Sequence, residues 1–80
     1  MHEMHLMKDL MADLLRQAAD NGIKKISRIY VRMGEFTEIN PEILKFFLKQ
    51  AGRGTAAEGA QLVLETSMVR ELRLVSFDGQ

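Results

Sequence analysis

Apolar positions recur at three- and four-residue steps through the first twenty residues. Leu6, Met7, Leu10, Met11, Leu14, Leu15 and Ala18 make one stripe, while Lys8, Asp9, Asp13, Arg16, Gln17 and Asp20 fill the other side. That period predicts an amphipathic helix over residues 3–20. Asn21-Gly22 ends it, because Gly after a helix takes the left-handed conformation without a Cβ clash. The period then changes to two. Ile29, Val31 and Met33 alternate with Arg28, Tyr30 and Arg32, which predicts a strand over 25–34 with one buried and one wet face. Ile26 is out of phase, so either pairing starts after it or a bulge intervenes.

A second helix is expected from Asn40-Pro41. Asn is a good N-cap, and Pro at the first helical position loses no hydrogen bond. Ile39 and Leu44 have the spacing of a hydrophobic staple. Ile43, Leu44, Phe47, Leu48 and Ala51 form the apolar face, and Gly52 stops the helix. Thr55 and Glu58 have capping-box spacing, which predicts a short helical turn. Leu62 and Leu64 alternate with Val63 and Glu65, and Leu72 and Leu74 with Arg73 and Val75, giving two more strands. The link between them, Ser67-Met68-Val69-Arg70, lacks the Gly, Asn or Asp of a tight hairpin. The order α-β-α-β-β predicts an α+β fold, with two helices packed on one face of a three-stranded mixed sheet.

Eighty residues suit a single domain, 1–80. The absence of cysteine excludes disulfides, Cys-based zinc sites, iron–sulfur clusters and a thiol nucleophile. It also makes an intracellular compartment the expectation, since small secreted domains usually depend on disulfides. Eleven basic residues balance eleven acidic ones and are dispersed, so no nucleic-acid footprint is expected. No apolar run is long enough for a membrane span, and Glu3, Lys8 and Asp9 break the pattern of a signal peptide. A cytoplasmic protein with no membrane partner is expected. No Ser or Thr lies in a nucleophile motif, and Gly52, Gly54 and Gly59 are not followed by the Lys-Ser/Thr of a phosphate loop. An enzyme is not expected. Glu35 and Glu38 share a loop and read either as a carboxylate pair or as solvated side chains. Tyr30 and Phe46 lie off the predicted buried faces, as partner surface or as ordinary exposed aromatics.

The two histidines of the chain both fall in the first five residues. The α-amine of Met1 and the imidazole of His2 are nitrogen donors when neutral. The His2 amide lies between them and can be deprotonated by a strongly polarising ion. Together the three nitrogens form fused chelate rings in one plane, the tetragonal geometry of Ni(II) or Cu(II). A fourth donor can come from Glu3, from His5 or from a partner protein. Initiator Met is removed only before small residues, so Met1 is expected to stay. His2 and His5 would share a face if helical geometry reached back that far. Against this stands a plainer reading: His2 a frayed terminal residue, Glu3 a carboxylate favoured by the helix dipole, and His5 a solvated helical position. Met1, Met4, Met7 and Met11 suggest soft Cu(I) ligands or, for Met7 and Met11, core filling.

The chain resembles the HypA/HybF family of hydrogenase nickel-incorporation proteins. Met1-His2-Glu3-Met4 opening an amphipathic helix is similar to the family's start. Arg32-Met33-Gly34-Glu35-Phe36 looks like its strand end, and Asn40-Pro41-Glu42 like the opening of its second helix. Gly54-Thr55-Ala56-Ala57-Glu58-Gly59-Ala60 is close to its Gly-Thr-x-Ala-Glu-Gly-Ala segment, and Glu71-Leu72-Arg73-Leu74 resembles its closing strand. The resemblance implies a metallochaperone that carries Ni(II) at its N-terminus for maturation of a [NiFe] hydrogenase or a urease, and the candidate metal residues are Met1, His2, Glu3 and His5. The match to the family's nickel-binding histidine falls on His2, with Glu3 beside it; His5 is an addition to that pattern. Implied partners are a nickel-handling GTPase and the hydrogenase large subunit, with the chain a monomer or weak dimer. Family members carry two Cys-x-x-Cys pairs of a zinc domain between the last two strands. This chain has none, so no zinc is expected, and the place of the missing insertion is the poor turn near Ser67 to Arg70. Two rival expectations remain: a metal-independent adaptor that kept the fold, and a copper-binding protein.

Overall fold

The structure, a computed structural model, describes residues 3–80. Five elements follow the expected order: α1 Met4–Asp20, β1 Ile26–Met33, α2 Pro41–Ala51, β2 Gln61–Thr66 and β3 Leu72–Gly79. The α1 stripe is the one the spacing predicts, with Met7, Leu10, Met11, Leu14 and Ala18 buried. Gly22 closes the helix at φ +68°, and the Ile23 N–H donates back to the Ala18 carbonyl at 2.8 Å. That six-residue return bond is how a left-handed glycine satisfies a helix's last carbonyls. At α2, the Asn40 side chain accepts the Ile43 N–H at 2.9 Å, with Pro41 in the first turn. Ile39 before the cap and Leu44 after it are both buried in the core. Around Thr55 a series of hydrogen-bonded turns replaces the expected helical turn; the Thr55 hydroxyl accepts the Ala57 N–H at 3.1 Å.

The three strands form one mixed sheet in the order β2-β1-β3. β1 is central, parallel to β2 and antiparallel to β3. A parallel neighbour demands a crossover, and α2 supplies it. β1 sends Ile26, Ile29, Val31 and Met33 into the core, where they meet the stripes of α1 and α2. The phase slip at Ile26 is a register shift against β3 between Ile26 and Arg28. A second shift between Tyr30 and Val31 leaves Val75 as the extra residue of β3, so Phe77 rather than Ser76 returns to the core side. The opposite face of the sheet is polar. Tyr30 donates its hydroxyl to Asp78 at 2.9 Å, and Arg32 pairs with Glu65 at 3.0 Å.

Strand order also explains the poor turn between β2 and β3. The two strands are not neighbours, so no hairpin joins them. Their link, residues 67–71, crosses the end of β1 and must span two strand spacings, about 9–10 Å. It is tied to β1 on both sides: the Ser67 N–H donates to the Met33 carbonyl at 3.0 Å, and the Gly34 N–H to the Glu71 carbonyl at 2.8 Å. A Cβ on Gly34 would lie 1.8 Å from the Val69 carbonyl oxygen. The glycine ending β1 therefore lets the link pass directly over the strand.

Candidate metal centre

Of the four residues the sequence singles out, Met1 and His2 lie outside the described residues. Glu3 is the first residue described, and it is 1% exposed, a charged side chain inside a small protein. Its carboxylate is surrounded by donors. The Thr37 N–H and hydroxyl reach Oε2 at 3.2 and 3.1 Å. The Glu38 N–H donates to Oε1, and the Arg70 guanidinium pairs with Oε2. In return, the Glu3 N–H donates to Oε1 of Glu38 at 2.7 Å. Burial pushes the Glu3 pKa up. The N–H groups of Glu38 and Thr37, the Arg70 guanidinium and the Thr37 hydroxyl outweigh it and hold the pKa at about 2. The carboxylate is thus ionised at neutral pH, and both of its oxygens are occupied by the fold.

Three parts of the chain converge on this carboxylate. The first is the N-terminal turn itself, where the Leu6 N–H donates to the Glu3 carbonyl at 3.0 Å and starts α1. The Glu3 side chain makes no capping bond to its own helix. The second is the loop between β1 and α2, which presents the Thr37 and Glu38 N–H groups just ahead of the Asn40 cap. The third is the crossover link, from which Arg70 reaches in with its guanidinium 5.5 Å from the centre of the Phe36 ring. The link is braced internally: Ser67 donates its hydroxyl to Glu71, the Val69 N–H donates to Ser67 Oγ at 3.2 Å, and Arg73 pairs with Glu71 at 3.3 Å. The Ser67 hydroxyl holds the Glu71 carboxyl below its usual pKa against the effect of burial, with Arg73 and Arg32 adding to it.

His5 is exposed in the first turn of α1. Glu35 is exposed, and it and Glu38 do not act as a pair; Glu38 uses its carboxylate on the Glu3 N–H. Among the described residues no group of three or more His, Asp or Glu side chains is placed to hold a metal ion. Sequence reasoning missed Thr37, Glu38 and Arg70 as the partners of Glu3. The sequence held no signal for them, since each lies 34 or more residues away. Among the described residues no helix is long and apolar enough to cross a membrane.

Comparison with known proteins identifies the family. Residues 1–72 match the family model described as hydrogenase/urease nickel incorporation, metallochaperone, hypA. The chain is 42% identical over 62 residues to the hydrogenase maturation factor HypA of Archaeoglobus fulgidus, covering 78% of this chain and 56% of that protein. It is 38% identical over 65 residues to HypA of Lawsonia intracellularis, covering 81% of this chain and 55% of that one. It therefore spans about half the length of the curated relatives it matches. The fold is similar to the solution structure of the nickel metallochaperone HypA from Helicobacter pylori, with a TM-score of 0.76 at 18% identity, over 99% of this chain and 97% of that chain. With a family match that runs from the first residue to the start of β3, the chain belongs to the HypA family.

Proposed function

We propose that this chain is a nickel metallochaperone domain that holds Ni(II) at its N-terminus for delivery into a [NiFe] hydrogenase or a urease. The donors are the Met1 amine, the His2 amide and the His2 imidazole, in the planar nitrogen geometry that suits Ni(II). The observation that carries this reading is the anchor at Glu3. A chelate on the first two residues would otherwise sit on a free chain end, and here the next residue is buried and hydrogen-bonded on both backbone and side chain. Glu3 then serves by position, because its carboxylate oxygens are already engaged. The fourth donor falls to His5 or to a partner protein.

The domain acts as a carrier, not a catalyst, and works in the cytoplasm. Its partners are a nickel-handling GTPase and the hydrogenase large subunit, and no zinc is needed for the terminal chelate. Nickel titration of the wild type, of His2→Ala and of a variant with residues added before Met1 tests the reading. The variants are expected to lose the wild-type affinity. Equal affinity in all three would remove the amine–imidazole site and favour a metal-independent adaptor.

A further inference from the structure

We infer that Arg70 is a positioning residue for the N-terminal nickel site, acting through Glu3 from the crossover link. The inference rests on the nickel-binding reading above. It starts from charge. Two carboxylates meet at the anchor, since Glu38 Oε1 accepts the Glu3 N–H while the Glu3 carboxylate accepts the Glu38 N–H. Thr37 and the backbone donors are neutral. Arg70 is the cation paired with this cluster, and its partner Glu3 is 1% exposed. Without the guanidinium, the buried carboxylate would lose this ion-pair partner and still face a second carboxylate. Such a group does better in water. The N-terminal turn would then swing outward, and the backbone at Glu3, which starts α1 and accepts the Leu6 N–H, would lose its fixed place.

Arg70 is itself held in place. Its link is tied to β1 at Met33 and Gly34, passes over Gly34 where no side chain fits, and lays the guanidinium beside Phe36. The link therefore sets the position of Arg70, Arg70 sets that of Glu3, and Glu3 is the residue to which the proposed nickel donors are joined in the chain.

A purely electrostatic role predicts the opposite sign. Removing a positive charge near a dication site would strengthen nickel binding. Arg70 is 61% exposed, so that effect is screened and small. The expected result for Arg70→Ala is weaker nickel binding by about 10- to 100-fold, the usual cost of losing a group that orients a metal ligand. Arg70→Lys should recover part of the loss. Arg16→Ala, which breaks an exposed ion pair with Asp13 within α1, should leave affinity unchanged.

The experiment is nickel titration of these variants and of His2→Ala, with the circular dichroism of the nickel bands and of the protein recorded at each step. Retained far-ultraviolet dichroism shows that the variant is folded. If Arg70→Ala is folded and binds nickel as tightly as wild type, or more tightly, the inference is overturned while loss of binding in His2→Ala leaves the nickel reading standing. If Arg70→Ala does not fold, a folded Arg70→Lys decides: an affinity below that of the wild type supports positioning by the guanidinium, and wild-type affinity with unchanged nickel bands overturns it. If His2→Ala binds as the wild type does, the nickel reading fails and the inference with it.

Discussion

The two helices of this fold begin in opposite ways. At α2 the start is local: Asn40 caps a bond three residues away, Pro41 occupies the first turn, and Ile39 and Leu44 lie in the core on either side of the cap. At α1 the residue in the capping position makes no capping bond to its own helix. Glu3 is held instead by Thr37, Glu38 and Arg70, which belong to a distant loop and a crossover link. A local cap secures a helix wherever the helix goes. A long-range anchor fixes Glu3 relative to the rest of the molecule, which the proposed terminal nickel site requires and a helix alone does not.

Perturbations of the two regions should separate these functions. The largest effect on stability is expected from the shared core. Leu44→Ala removes a fully buried side chain and should cost about 2–5 kcal/mol in chemical denaturation. That loss weakens both helix starts together. Gly34→Ala places a methyl against the Val69 carbonyl, and overpacking of this kind costs about 1–3 kcal/mol. Because the crossover link must move, this variant should also weaken nickel binding, which Leu44→Ala should do only in proportion to unfolding. Asn40→Ala should cost about 0.5–2 kcal/mol and leave nickel affinity unchanged, since it touches only the local cap.

The anchor has a signature of its own in acid. Glu3 titrates at about 2 in the folded chain against an ordinary 4.5. A depressed folded pKa contributes stability that is complete above the unfolded value and is lost as pH falls from about 4.5 toward 2. Denaturation midpoints followed over that range should fall more steeply for wild type than for Glu3→Gln. The smallest effect is expected from Arg32→Ala, whose exposed ion pair with Glu65 is worth about 0–1 kcal/mol.

Legibility from the sequence follows the same division. The Asn40 cap, the α1 stripe, the Gly22 stop and the alternation of β1 all arise from neighbours within one or two turns, and each can be read from spacing. The bulge near Ile26 was legible as a broken phase. The Ser67–Arg70 link was legible as a turn that lacked turn residues and, through the resemblance, as the place of a missing insertion. Its cause is strand order, which places β1 between β2 and β3 and makes the link a crossover. At the N-terminus, Met1-His2-Glu3 could be singled out by donor chemistry and by family resemblance. The burial of Glu3 could not be read, because a glutamate beside a chain end is ordinarily solvated and its partners come from positions with no motif.

Nickel affinity measured across pH, with proton release followed by calorimetry in two buffers of different ionisation enthalpy, tests the central claim most directly. Amine, amide and imidazole must all shed protons to bind, so affinity should rise from mildly acidic to neutral pH and binding should release protons. An affinity flat over that range, with no protons released, would contradict nickel binding by the terminal amine and His2.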